Sequence, residues 1–214
     1  MKTVIPFQPH TAFSVAGPSG VGKSTWTLRL LKNKDSMFKP DPPPGNILYC
    51  YMSEQDSLNE AERTIPNFYL HRGLPTAEQI DSLGPNPIVV LDDMMDQVMA
   101  SRDSATWFSR DVHHKGYTLL LIVQNLYEQG RSARTIALNC NYLILFKHVR
   151  DKTQLVTLGK QMHPGQSHKI IEALDDITKE DPRGYLVLDN TCTGDDKTRM
   201  RTRIFPGEDP VVYI

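Results

Sequence analysis

The chain has 214 residues, of which 39% are hydrophobic and 23% are charged, and this composition excludes a disordered or fibrous protein. Its formal net charge of −1 at pH 7 excludes a strongly basic nucleic-acid-binding subunit. Any contact with nucleic acid must therefore come from a local patch or from several subunits acting together.

The predicted elements alternate between apolar strands and amphipathic helices. Strands are predicted over residues 12–16, 46–51, 68–71, 87–93, 117–123, 141–146, 185–188 and 199–205, and helices over residues 26–32, 57–63, 76–82, 104–114, 151–161 and 167–173. This alternation predicts an α/β fold with a mostly parallel, doubly wound sheet and helices on both faces. We expect residues 1–214 to form a single domain.

Between the first predicted strand and the first predicted helix lies a phosphate-binding sequence of the form G-x-x-x-x-G-K-[ST]. It comprises Gly17, Pro18, Ser19, Gly20, Val21, Gly22, Lys23, Ser24 and Thr25, and we call residues 17–25 the phosphate loop. Glycines allow backbone N–H groups to surround a phosphate. Lys23 is then expected to reach the β- and γ-phosphates of a nucleoside triphosphate, and the Ser24 hydroxyl to bind Mg²⁺.

A pair of acids ends the apolar strand that is predicted over residues 87–93. Asp92 and Asp93 stand where a Walker B acid is expected, at the carboxyl end of a buried parallel strand. Asp92 is the predicted second protein ligand of Mg²⁺, and Asp93 the predicted base that polarises the attacking water. The alternative is that one acid caps the following helix.

The most apolar predicted strand, residues 117–123, ends at Gln124. Since parallel strands end at the same edge of a sheet, this amide is expected near the phosphate loop and the acids. There it would sense the γ-phosphate or position water. The alternative is an amide that only satisfies the end of its strand.

With these motifs in place, the chain resembles the FtsK/HerA superfamily. The closest likeness is to DNA-packaging ATPases of double-stranded DNA viruses of the poxvirus and Polinton/adintovirus kind. The likeness rests on the phosphate loop, the acid pair, Gln124 and the arginine-bearing segment 130–139 that precedes the next strand. It implies a RecA-like core, ATP and Mg²⁺, a ring-shaped homo-oligomer and translocation of double-stranded DNA. A capsid or portal-like viral protein is a further expected partner.

The same resemblance implies an arginine that reaches the nucleotide of a neighbouring subunit. Arg131 and Arg134 are the main candidates and Arg150 is a third, although each could equally be a surface residue. The superfamily commonly has Asp-Glu at the acid pair, whereas this chain has Asp92 and Asp93. The shorter second acid must reach the water from further away.

The cysteines and the apolar segments indicate the cellular compartment in which the protein is expected. Cys50, Cys140 and Cys192 are widely spaced and odd in number, which predicts free thiols in a reducing compartment. No stretch approaches the ~20 apolar residues of a membrane span, and residues 1–6 do not resemble a signal peptide. We expect an intracellular protein of the host cytoplasm or nucleus, or one associated with the virion, with no membrane partner.

Two other functions fit part of the sequence. A phosphate loop also occurs in small-molecule kinases, where segment 130–134 would belong to a lid, and in nucleotide-gated switches with little turnover.

Near the end of the chain, Arg199, Arg201 and Arg203 alternate along a predicted strand. Period two places them on one face, which suits either a solvent-exposed face or a row of phosphate contacts.

Overall fold

The computed structural model describes residues 5–40, 43–101, 106–126, 136, 138–148, 152–162, 168–191 and 196–214. Within these ranges lies one nine-stranded sheet. Its strands are β1 Ala12–Ala16, β2 Ile47–Tyr51, β3 Phe68–Arg72, β4 Ile88–Asp92, β5 Thr118–Val123, β6 Tyr142–Phe146, β7 Tyr185–Asp189, β8 Met200–Thr202 and β9 Val211–Tyr213. Their spatial order is β3-β2-β4-β5-β1-β6-β7-β8-β9.

The helices connect the strands across both faces of the sheet. They are α1 Lys23–Lys32, α2 Lys34–Met37, α3 Asp56–Thr64, α4 Ala77–Asp81, α5 Met95–Ala100, α6 Val112–His114, α7 Thr153–Met162 and α8 Lys169–Glu180. A π-helical turn, Trp107–Asp111, leads into α6, and a 3₁₀ turn, Asp196–Thr198, precedes β8. None of these described helices has the length and apolar character needed to cross a membrane.

Six neighbouring strands, β3 to β6 in the spatial order, are parallel, as the sequence predicts. Strand β5 lies between β1 and β4, with Ala16 beside Val123 and Asp92 beside Ile122. The carboxyl ends of these three strands therefore meet at one edge of the sheet. This arrangement brings the phosphate loop, the acid pair and Gln124 to a common place.

Buried side chains fill both faces of the sheet because the central strands are apolar on both sides. Along β5, Leu120 and Ile122 face one cluster, which contains the buried sides of α1 and α3. Leu119 and Leu121 face the other cluster, which contains those of α5, α7 and α8. The predicted arrangement of helices on both faces is thus confirmed. Cys50 and Cys140 are buried free thiols, and Cys192 lies outside the described residues.

The last three strands depart from the parallel pattern. Strands β7, β8 and β9 pair antiparallel, and β8 covers three residues where the sequence predicts a longer strand. The prediction that Arg199, Arg201 and Arg203 share one face is wrong. Arg201 is completely buried, where it pairs with Asp189 of β7 at 3.1 Å, whereas Arg203 is exposed beyond the strand.

Candidate functional site

The phosphate loop joins β1 to α1 through a backbone that requires glycine. Gly20 and Gly22 have φ values of 79° and 107°, in the left-handed region that side chains disfavour. At Gly17 a Cβ atom would lie 2.6 Å from the Cβ of Phe146 in β6. The first glycine is therefore needed for close packing, and the later two for the turn into the helix.

Lys23, the first residue of α1, folds its side chain over the start of the loop. Its Nζ donates hydrogen bonds to the carbonyl oxygens of Gly17 at 2.6 Å and Pro18 at 2.9 Å. Burial lowers the pKa of the ammonium group, and the carboxylates of Asp92 and Asp93 partly offset this effect. These contacts hold a cationic group directly above the loop backbone.

Asp92, the last residue of β4, is buried and joined to two hydroxyl groups. Its Oδ2 accepts a hydrogen bond of 2.7 Å from the Tyr49 hydroxyl and one of 3.4 Å from Ser24 Oγ. Burial raises the pKa of this carboxyl, although both hydrogen bonds act in the opposite direction. Burial and the neighbouring carboxylate raise the pKa of Tyr49 well above its usual value, so the phenol remains a donor.

Asp93 has a different environment from the acid that precedes it. It has a φ of 54°, and its side chain is exposed. The Nε2 atom of Gln124 lies 3.3 Å from each of its carboxylate oxygens and donates to them. The two acids thus differ in burial and in hydrogen-bond partner.

These groups line a cavity of about 460 Å³, within the range of small-molecule sites. The described residues that line it are Ser19, Gly20, Gly22, Lys23, Ser24, Thr25, Gln55, Asp92, Asp93, Ile122, Gln124 and Arg183. Of the remaining phosphate-loop residues, Val21 packs against the core, Gly17 lies against Phe146, and the carbonyl oxygen of Pro18 accepts a hydrogen bond from Lys23. Arg131, Arg134 and Arg150 lie outside the described residues.

The oxygen atoms of Ser24 and Asp92 suit Mg²⁺. This ion usually takes one or two protein oxygen ligands and keeps its other positions for water and substrate phosphates. The 3.4 Å between Ser24 Oγ and Asp92 Oδ2 places both within reach of one ion. Within the described part of the chain, no group of three or more His, Cys, Asp or Glu side chains could hold a metal ion.

Three polar residues that line or support the cavity were missed by the sequence analysis. Tyr49 lies inside β2 and was interpreted only as part of a buried strand. Gln55 precedes α3, and Arg183 lies in the turn before β7. Tyr49 carries a weak signal, since it is a hydroxyl-bearing residue in a strand beside the acid-bearing one. The other two become visible only when the order of the strands is known.

Comparison with known proteins shows a likeness in structure. No family model matches the sequence, and no curated protein matches it. Among solved structures, this chain is similar to B204, the DNA-packaging ATPase from Sulfolobus turreted icosahedral virus, with a TM-score of 0.58 at 12% identity. The match covers 86% of this chain and 94% of the viral chain. The protein therefore has a RecA-like P-loop NTPase fold, with a large, mostly parallel sheet between two layers of helices.

Proposed function

We propose that this protein is an Mg²⁺-dependent ATPase that translocates double-stranded DNA, and that its task is the packaging of a viral genome into a capsid. The observation that carries the proposal is the single cavity in which Lys23, Ser24, Asp92, Asp93 and Gln124 meet. The structural likeness to a DNA-packaging ATPase over most of both chains supports it.

In the proposed reaction, the protein positions ATP and stabilises charge. The phosphate loop would hold the β-phosphate, with its N–H groups and the amino end of α1 directed at the anion. Lys23 would leave the two loop carbonyls and bind the β- and γ-phosphates. Mg²⁺, held by Ser24 and Asp92, would neutralise the charge that develops on the phosphate oxygens.

Asp93 is the proposed base for the attacking water. Its exposed carboxylate lies at the cavity, whereas Asp92 is buried and committed to two hydroxyl groups. Gln124 fixes the orientation of Asp93 through both carboxylate oxygens and presents an amide on the side where the γ-phosphate would lie. We assign Gln124 to the positioning of Asp93 and the water.

The proposed motor is a homo-oligomeric ring. With a net charge of −1, one subunit gains little attraction to DNA, whereas a ring can line one channel with its few basic groups. Arg131 or Arg134 is the proposed arginine that reaches the nucleotide of the neighbouring subunit. A capsid or portal-like protein is the proposed docking partner.

The test is the rate of ATP hydrolysis with and without double-stranded DNA, together with the molecular mass in solution. We expect an oligomer whose turnover rises with DNA and with protein concentration. Lys23→Ala should abolish turnover and weaken ATP binding with the fold intact. Mixing this variant with Arg131→Ala or Arg134→Ala should restore some activity, because one interface then pairs an intact loop with an intact arginine.

Other outcomes identify the alternatives. Transfer of phosphate to a small acceptor would show a kinase, and tight binding without turnover would show a nucleotide-gated switch. A monomer that hydrolyses ATP at full rate, with no response to DNA or dilution, would contradict the motor.

A further inference from the structure

The reversal of strand direction at β7 places a turn beside the phosphate loop. Strand β6 runs parallel to β1 and ends at Phe146, which packs against Gly17. Strand β7 is antiparallel and begins with Tyr185 opposite Phe146. The residues that precede β7 therefore arrive at the edge where the parallel strands end.

This turn, residues 181–184, has a backbone fixed by local contacts. The carboxylate of Asp181 accepts a hydrogen bond of 2.9 Å from the backbone N–H of Arg183, and its carbonyl accepts one of 2.8 Å from Gly184. A Cβ atom at Gly184 would collide with Ile177 of α8. The position from which the Arg183 side chain extends is thus well defined.

The side chain of Arg183 is exposed and lines the same cavity as the phosphate loop. Its guanidinium makes no ion pair or hydrogen bond with the residues that the structure describes. Among the described lining residues, the cations are Lys23 and Arg183, and the carboxylates are Asp92 and Asp93. Arg183 is therefore a cation at the cavity whose donors have no partner among the described residues.

The order of the strands shows on which side of the phosphate loop Arg183 lies. The acids lie at the end of β4 and Gln124 follows β5, both on one side of β1, whereas Arg183 precedes β7 on the other side. If the γ-phosphate faces the acids and the β-phosphate lies in the loop, the α-phosphate and the nucleoside extend away from the acids. Arg183 lies on that side.

We propose that Arg183 binds the non-reacting end of the nucleotide, with its guanidinium on the α-phosphate, within the same subunit. The inference rests on the proposed nucleotide site and adds a residue that holds substrate and product alike. A planar guanidinium with several donors suits a phosphate at this place. Because the contact is the same before and after hydrolysis, it contributes to affinity and leaves the barrier unchanged.

The experiment measures the Kd values of ATP and ADP, with Mg²⁺, for the wild-type chain and Arg183→Ala by calorimetry. We expect both Kd values to rise by about tenfold, the effect of losing one charged hydrogen bond, and by a similar factor for the two nucleotides. The Kd values of Arg183→Lys should lie between those of wild type and Arg183→Ala, because lysine keeps the charge but loses the planar pair of guanidinium donors. Arg63→Ala is the matched control, an exposed arginine on α3 outside the cavity lining.

Turnover at saturating ATP separates binding from chemistry, and we expect kcat of Arg183→Ala to stay within about threefold of wild type. Unchanged Kd values, or a large fall in kcat with ADP affinity intact, would overturn the inference. A wild-type chain that binds neither ATP nor ADP would contradict both the role of Arg183 and the proposed nucleotide site. A tenfold loss of affinity in a protein without DNA-stimulated turnover would support Arg183 and contradict only the proposed motor.

Discussion

The hydroxyl of Tyr49 donates a 2.7 Å hydrogen bond to Oδ2 of Asp92, the same oxygen that Ser24 contacts at 3.4 Å. A residue inside one strand thus supports the acid at the end of the neighbouring strand. Both side chains are buried, so the carboxylate has little water to replace this donor.

Replacement of Tyr49 by Phe tests this support. The variant should lose about 1–3 kcal/mol of unfolding free energy at pH 7, because a buried carboxylate loses its short hydrogen bond. Urea denaturation measures the loss, and Tyr69→Phe, an exposed tyrosine of β3, is the control. A variant as stable as wild type would show that the hydroxyl does not stabilise the carboxylate.

The raised pKa of Asp92 gives a dependence of stability on pH. In the folded protein this carboxyl binds its proton more tightly than in the unfolded chain, where Asp titrates near pH ~3.9. Above that pH the folded state holds more protons than the unfolded state, so the contribution of Asp92 to stability falls as the pH rises through the raised value.

Asp92→Asn removes this titration. The unfolding free energy of the variant, relative to wild type, should increase as the pH rises from about 3 to 7, measured without nucleotide or Mg²⁺. Its binding of ATP should lose its dependence on Mg²⁺. A difference in stability that does not change with pH would contradict the assigned cause.

The proposed roles of the two acids predict different defects. Asp93→Asn should bind ATP and Mg²⁺ within a few-fold of wild type but hydrolyse ATP about 10²–10⁴-fold more slowly, because it lacks the base. Asp96→Asn is the matched control, since Asp96 is exposed nearby on α5 and does not line the cavity. If Asp96→Asn stops turnover and Asp93→Asn does not, the base has been assigned to the wrong acid.

The buried pair of Arg201 and Asp189 predicts a large effect far from the phosphate loop. Arg201→Met should cost about 3–5 kcal/mol of unfolding free energy, because the Asp189 charge remains buried without its partner. Arg203→Met should cost at most about 1 kcal/mol, since its ion pair with Glu180 is exposed.

A second replacement checks the cause of that effect. Adding Asp189→Asn to Arg201→Met should recover part of the loss, because the charge is removed and the contacts with Thr191 can remain. A double variant less stable than Arg201→Met alone would show that lost packing, and not the unpaired charge, accounts for the result.

The sequence predicts the central strands well for a physical reason. Continuous apolar runs that end in polar residues are typical of parallel strands covered on both faces, and the runs before Gly17, Asp92 and Gln124 are of this kind. The meeting of these residues follows because parallel strands end at one edge.

Features that depend on strand order could not be predicted in this way. Arg183 reaches the cavity because β7 is antiparallel and lies next to β6, and no local pattern encodes that pairing. Alternation misled the prediction at Arg201, because its acidic partner, Asp189, belongs to another strand. The short strand β9 has three residues and was missed for lack of length.

The contact between Tyr49 and Asp92 also depends on how β2 is aligned with β4. Strand β2 pairs with β4 so that Tyr49 lies beside Val90 and Cys50 beside Leu91. A slip of one residue would turn the phenol to the opposite face of the sheet and put a different side chain beneath the acid. Only a chain with β2 and β4 in the correct alignment gives Asp92 its hydrogen bond from Tyr49. A nucleotide whose Mg²⁺ is held by Asp92 would therefore favour that alignment over misaligned forms. Nucleotide present during refolding should accordingly protect the amides of β2 from hydrogen exchange, although β2 lies three strands away from β1, the strand that leads into the phosphate loop.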